Sequence, residues 1–296
     1  MPIRIYRPTS AGRRNASVNI HAEVTKNRPE KSLTAPLTKT GGRNHHGIIT
    51  VRGRGGGHKR MYRKIDFRRA DRIDIPGEVI AIEYDPNRTC HIALVQYEDG
   101  VKRYILAPKG IRARVTDESG KVVTPGTKIL ASNEAIEPSV GSSMKMKYIP
   151  TGLEVHCVEL TPGKGGQMCR AAGMSARLTN REGRYATLVL PSGEIRRVSV
   201  ECRAIIGEVG NSDHANRRLG KAGKSRHLGR RPKTRGVAMD HATHPLGGGE
   251  GRSKSGRAPV SKTGVPAKGG STRNRKQHSE DLIIRRRRSR RYGLLK

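Results

Sequence analysis

The chain has 296 residues, with 60 Lys+Arg against 25 Asp+Glu for a formal net charge of +35, and it contains 8 Tyr, a single Phe and no Trp. So few large aromatics argue against one deep core spanning the whole chain. The charge is uneven: residues 1–77 carry 18 Lys+Arg against 5 Asp+Glu, residues 201–296 carry 25 against 7, and residues 78–200 carry 17 against 13. Two basic ends flank a near-neutral middle, and like charge concentrated this way repels itself unless a polyanion neutralises it, which points to nucleic acid.

The first eight residues, Met-Pro-Ile-Arg-Ile-Tyr-Arg-Pro, lack the apolar stretch of a secretory signal. From residue 3 to about 75, Gly, Pro, Ser, Thr and Arg interrupt every short apolar pair, so residues 1–77 read as an extended basic arm. Sixty extended residues reach on the order of 200 Å at about 3.4 Å each, enough to thread into a folded RNA. The plainer alternative is a tail that only raises non-specific affinity.

The middle reads as short strands. Runs at 78–84, 89–97 and 101–107 are separated by Asp85-Pro86-Asn87-Arg88 and Glu98-Asp99-Gly100. Runs at 111–116 and 121–131, the latter broken by Pro125-Gly126, complete five strands and predict an OB-like barrel over 78–131. A second set at 153–160, 174–179, 185–190, 194–200 and 204–209 predicts an SH3-like barrel over 132–210. Domains of roughly 60 residues bury only about 60% of the unfolded chain's surface and are marginal alone. The fold class expected is therefore all-β, two small barrels between long basic irregular extensions. The one helix suggested is near 213–220, with Ser212 or Asp213 as N-cap and Gly220 as its stop. Residues 211–296 read as a second basic, Gly-rich extension, ending in a block from Arg285 to Arg291 that cannot pack on itself.

No apolar run approaches the roughly 20 residues of a membrane span. Cys90, Cys157, Cys169 and Cys202 include no close pair, so reduced thiols in an intracellular compartment are expected. Four glycine-rich basic stretches recur, at 53–60, 162–167, 220–225 and 244–252. None fits a nucleotide-binding loop: Arg218 stands where the required glycine before Gly223-Lys224-Ser225 would be, and His58 interrupts a Gly-x-Gly pattern. Turn chemistry explains any one of them; four together favour backbone lying flat on RNA sugar and phosphate beside neutralising Lys and Arg. Nine of the eleven histidines lie in the ends. His241 and His244, with Asp240 and Glu250, suggest metal ligation or acid–base work, but Pro245 and the following glycines prevent helical presentation of both imidazoles. Arg88 and Arg170, on loops of the near-neutral middle, are candidate RNA contacts, the bland alternative being solvated arginines paired with Asp85 or Glu159.

Gly41-Gly42-Arg43-Asn44, Gly55-Gly56-Gly57-His58-Lys59, Tyr84-Asp85-Pro86-Asn87-Arg88, 104–110 (Tyr-Ile-Leu-Ala-Pro-Lys-Gly), 162–167 (Pro-Gly-Lys-Gly-Gly-Gln), 207–211 (Gly-Glu-Val-Gly-Asn) and Gly247-Gly248-Gly249-Glu250-Gly251-Arg252 together resemble the bacterial form of ribosomal protein two of the large subunit, across nearly the whole chain. The resemblance implies a primary binder of large-subunit ribosomal RNA, placed in the cytoplasmic ribosome among neighbouring ribosomal proteins, with extensions reaching toward the peptidyl-transferase region. It further implies support of assembly, subunit association and transfer-RNA binding. No enzymatic activity and no cofactor are expected, magnesium accompanying RNA aside. The RNA-binding residues expected are His58, Lys59, Arg60, Arg63, Arg68 and Arg69 in the first extension; Arg88, Lys164, Gln167 and Arg170 in the barrels; and Lys221, Lys224, Arg235, His244, Gly247, Gly248, Gly249, Arg252, Arg285 and Arg286 in the second extension. Where that family reads Met-Asn-Pro-Val-Asp-His-Pro-His, this chain has Met239-Asp240-His241-Ala242-Thr243-His244-Pro245-Leu246. His244 aligns with a family histidine once proposed to assist peptide-bond formation. Two competing readings are an acyl-transfer enzyme built on this loop and a DNA compactor.

Overall fold

Regular structure begins well before the first expected strand. In the computed structural model, which describes residues 3–117, 119, 122–249, 256–268, 273–289 and 293–294, β1 (Ile3–Ile5) pairs antiparallel with β2 (Ser17–Asn19), and β3 (Thr34–Pro36) pairs with β4 (Met61–Arg63). The first extension is thus less irregular than its composition suggests, and the reason lies in the sheet it covers. β5 (Gly77–Glu83), β6 (Ile92–Tyr97) and β7 (Lys102–Leu106) form the expected antiparallel meander. Ile92-Ala93-Leu94-Val95 is an unbroken apolar run, so β6 is apolar on both faces and both must be covered. Ala93, Val95 and Tyr97 face one buried cluster with Val79, Ile105 and Ile129. Ile92 and Leu94 face the other with Ala81, Tyr104 and Leu33, the last supplied by the first extension.

Of the expected strand at 111–116 only β8 (Val115–Thr116) forms, in a hairpin with β9 (Val122–Thr124). Pro125-Gly126 separates β9 from β10 (Lys128–Ile129), which returns to β5 and sets the sheet order β10-β5-β6-β7. The second barrel is a seven-stranded sheet of order β11-β18-β12-β15-β16-β17-β19. Its strands are β11 (Ser143–Lys145), β12 (Glu154–His156), β15 (Ala176–Glu182), β16 (Tyr185–Val189), β17 (Ile195–Ser199), β18 (Arg203–Ile206) and β19 (Ile283–Arg285), with a side hairpin of β13 (Val158–Glu159) and β14 (Gly166–Met168). The run at 153–160 is cut into β12 and β13 by Cys157, whose φ of +50° turns the chain. Met144, Met146, Val155, Leu178, Leu188 and Val198 are among the side chains filling this barrel.

The barrels are joined through a shared apolar seam. Cys90 and Leu106 of the first meet Cys157, Ile205 and Val209 of the second, with Ile65 and Phe67 packed against them. Backbone bonds from Lys109 N to Glu208 O (2.8 Å) and from Gly210 N to Ala107 O (2.9 Å) stitch the same seam. Two domains too small to be robust alone are thereby fused into one body.

Two expectations for the second extension change. Residues 213–220 form no α-helix: Ser212–Asn216 is a 3-10 turn, Gly220 has φ +78°, and the α-helix of this region, α1, is Ala222–His227. Residues 281–287, expected to belong to an irregular extension, contribute β19 to the edge of the second barrel, where Ile195 pairs with Arg285 and Arg197 N donates to Leu282 O at 2.7 Å. Leu282, Ile283 and Ile284 supply strand-forming side chains, and an edge position leaves Arg285 and Arg287 in solvent. The last pairing is β20 (Arg288–Ser289) with β21 (Gly293–Leu294). By contacts the chain divides into one unit of Met1–Leu37, Lys59–Lys221 and Asp281–Arg287, holding both barrels, and a second unit of Thr38–His58, Ala222–Glu280 and Arg288–Lys296.

Candidate nucleic-acid interface

In the barrel unit two of the arginines expected to touch RNA, Arg88 and Arg170, lie against Phe67, the only phenylalanine in the chain. The Arg170 guanidinium carbon lies 4.7 Å from the ring centroid and that of Arg88 lies 5.7 Å from it. Both distances are within the cation–π range, so the ring helps to orient both guanidiniums. The ring itself is held by the seam between the barrels. The two arginines then differ in their partners. Arg88 Nε makes a 2.6 Å ion pair with Asp85, whose side chain is 0% exposed, so much of Arg88 serves the fold. Arg170 Nη1 donates to the Gly166 carbonyl at 3.2 Å and, contrary to the pairing considered with Glu159, is left with an exposed cation.

Glu159 has another role. Its buried carboxylate accepts the backbone N–H groups of Gly163 (3.2 Å), Gly165 (2.8 Å) and Arg203 (3.0 Å), tying the loop 162–167 into a fixed shape. Gly166 N donates to Phe67 O at 2.9 Å, which brings the same loop alongside the ring. Lys164 is exposed at the loop's tip and Gln167 is half-buried in β14. Arg68, exposed, passes beside Gly165. A surface carrying Arg68, Lys164 and Arg170, with Arg88 beneath, is thus built from three separate stretches of chain. Sequence reading reached the cations and missed Glu159 and Phe67, although a lone Phe and a lone acid beside a glycine loop were both visible.

Other expected residues lie elsewhere. Arg69 is 1% exposed and bonds the Gly141 carbonyl through Nη1 at 2.6 Å, so it holds the body together and offers no surface to a phosphate; its φ of +49° and the 2.8 Å bond from its N–H to Asp66 fit that structural position. Arg63, in β4, is also buried, with Nη1 on the Met61 carbonyl at 3.0 Å. Lys59 and Lys221 are exposed and Arg60 half-buried. Arg285 is exposed in β19, followed by half-buried Arg286.

Within the second unit, His58 is exposed and packs edge-on against His227, with 5.4 Å between ring centroids. Lys224 lies in α1 and Arg235 is exposed. The loop 236–249 winds around His244, which is 8% exposed. Asp240 O accepts from Thr243 N (3.1 Å) and His244 N (3.2 Å), Gly247 N donates to His244 O (2.8 Å), and Gly248 N donates to Met239 O (3.1 Å). His244 Nδ1 accepts from Leu246 N at 3.1 Å, which places the ring proton on Nε2. A Cβ at Gly236 would collide with the ring, so this glycine is what lets the loop close over it. The substituted Asp240 pairs with His241 at 3.0 Å and accepts from Ala242 N at 3.2 Å. Gly247 and Gly248 are half-buried and Gly249 is exposed, whereas Arg252 lies outside the described residues. Among the described residues no three His, Cys, Asp or Glu side chains are placed to hold a metal ion.

Burial raises all four thiols, Cys90 and Cys169 to about 11 and Cys157 and Cys202 to about 12. They pack the core as neutral groups.

Two fused β-barrels presenting arginine and lysine side chains, in a chain that also carries glycine-rich basic stretches, are the features of a nucleic-acid-binding protein. Comparison with known proteins gives the particular kind. Residues 30–116 match the family model described as Ribosomal Proteins L2, RNA binding N-terminal domain, and residues 139–264 match Ribosomal Proteins L2, C-terminal domain. The chain is also 54% identical over 297 residues to the large ribosomal subunit protein uL2 of Rhodopirellula baltica, a match covering 100% of this chain and 99% of that relative. This chain belongs to the ribosomal protein L2 family.

Proposed function

We propose that this chain docks on large-subunit ribosomal RNA through the Phe67-centred surface, and that the second unit contacts the same RNA. As a ribosomal L2 protein it is a structural constituent of the large ribosomal subunit, binding ribosomal RNA among other ribosomal proteins in the cytoplasmic ribosome. The observation that carries the docking proposal is the convergence of Arg68, Lys164 and Arg170 on a frame locked by Phe67 and Glu159. Preformed cations bind phosphate without first having to be ordered.

The same proposal assigns further contacts to His58, Lys59, Arg60, Lys221, Lys224, Arg235, Arg285 and the Gly247–249 backbone. Support of assembly, of subunit association, of transfer-RNA binding and of the peptidyl-transferase region follows from carrying those segments to their RNA. Magnesium would enter as the RNA's own counterion. His244 acts by shaping its loop: a nearly buried imidazole with Nδ1 already accepting a backbone N–H lacks the free base that proton abstraction requires.

Arg170→Ala tests the docking surface. It removes one phosphate contact without removing a core group, so affinity for large-subunit RNA should fall, the salt slope should drop by about one unit, and folding stability should fall by no more than about 1 kcal/mol, the value of its stacking on Phe67. Arg88→Ala strands the buried Asp85 carboxylate and should also lower folding stability, by roughly 3 kcal/mol. An Arg170→Ala protein with native affinity and slope would remove Arg170 from the interface.

A further inference from the structure

Residues 38–58 contain Lys39, Arg43, Arg52 and Arg54 and not one Asp or Glu. In the second unit part of this acid-free stretch runs antiparallel to residues 227–231. Gly55 N donates to Gly229 O (3.1 Å), His58 N to His227 O (3.2 Å) and Arg231 N to Gly53 O (3.0 Å), and Arg54 stands directly opposite Arg230 across a bridge. Like charges facing each other across paired strands are destabilising. A cavity of about 480 Å³ is lined by Arg43, Arg52, Arg54 and Arg231 together with Gly53 and Gly55 of this crossing. Gly55 has φ +141°, a conformation closed to other residues, and a Cβ there would press on the Arg231 side chain. Among the described residues none of the four arginines makes an ion pair with a carboxylate, and all four are exposed.

From this we infer a second, separate binding site: the cavity takes two or three phosphate groups that converge on one point, the arrangement found where a ribonucleic strand turns sharply back on itself. The cavity's volume lies within the roughly 300–1,000 Å³ of small-ligand sites, more than a single phosphate group fills. Planar guanidinium forks bind phosphate oxygens in pairs, which gives the site its preference for clustered anions over a lone one. The inference rests on the RNA-binding reading above for the source of those phosphates, and the same chemistry would accept a free polyphosphate.

The test uses the intact, RNA-free protein and inorganic tripolyphosphate, titrated calorimetrically beside inorganic phosphate at equal ionic strength. One saturable tripolyphosphate site is expected, with inorganic phosphate weaker by about a hundredfold. Arg52→Gln with Arg231→Gln should weaken tripolyphosphate about tenfold or more, whereas Arg257→Gln with Lys262→Gln, which removes the same charge from the same unit, should leave it nearly unchanged. Arg52→Lys with Arg231→Lys keeps the charge but loses the fork, and a severalfold loss there reads the site even if the glutamine pair misfolds. Equal losses in the cavity and control pairs, together with a lysine pair that binds as wild type, would overturn the site in favour of diffuse charge attraction. Large-subunit RNA should displace bound tripolyphosphate; RNA that binds tightly without displacing it would overturn RNA as the occupant. Failure of the wild-type chain to bind that RNA at all would instead overturn the docking proposal.

Discussion

His156 shows how a single buried side chain sets the response of this protein to pH. Its Nδ1 donates to the Gly207 carbonyl at 2.8 Å, while Nε2 lies buried without a partner. Burial pushes its pKa from 6.5 down to about 4, because a proton on Nε2 would place an unpaired charge in the core. The unfolded chain therefore takes up a proton near pH 6.5 that the folded chain refuses until about pH 4. Stability is complete above pH 6.5, declines as pH falls toward 4 and loses about 3 kcal/mol in all. His21, His91 and His214 are also held low, chiefly by desolvation, and act in the same direction. Urea midpoints measured from pH 7.5 to 4.5 should fall steadily, and less steeply in a His156→Asn variant. Midpoints independent of pH in that range, or identical slopes in both proteins, would contradict this assignment.

Among the elements, the loop 162–167 depends on Glu159 more than on its own sequence. Three backbone N–H groups converge on that buried carboxylate, and Glu159→Ala would leave them without acceptors at a cost on the order of 3 kcal/mol. The expected outcome is a lower melting temperature, together with loss of RNA affinity at least as large as that of Arg170→Ala; a normally stable variant that loses no affinity would show the loop to be self-supporting. Most strands of both barrels, though neither β11 nor β14, were legible from apolar runs and Gly- or Pro-bearing turns, and the expected bounds of β5, β7, β16 and β17 lie within a residue or two of those observed. What escaped was pairing that depends on distant chain. β1 to β4 and β19 are strands of three residues, too short for periodicity to mark, and β3, β4 and β19 form where a two-faced sheet or an open edge needs covering. The helix misplacement near residue 213 has the same origin: capping residues were present, but Arg218 is bonded to distant Ser17, accepting from Ser17 N at 2.9 Å and donating its own N–H to Ser17 Oγ at 2.8 Å, and α1 begins only at Ala222. Site cations could be read because they sit on loops of a near-neutral body, whereas Arg69 looked like its neighbour Arg68 until the fold buried it.

At the scale of the whole molecule, charge and architecture give one account. A body with two fused barrels supplies a rigid cationic surface, and a second unit whose residues 38–58 hold no carboxylate supplies charge that only a polyanion can neutralise. A diffuse basic protein would bind structured RNA and duplex DNA alike and would release both as salt rises. Here arginines stacked on Phe67 and fixed by the fold add a geometric match to folded RNA that diffuse charge lacks. The most direct test is sedimentation of tagged full-length protein from cells producing it, through gradients before and after a high-salt wash. The account predicts that the protein travels with large ribosomal subunits in near one-to-one amounts and stays with them through the wash. Protein found at the top of the gradient, or stripped from the particles as readily as from duplex DNA, would contradict it.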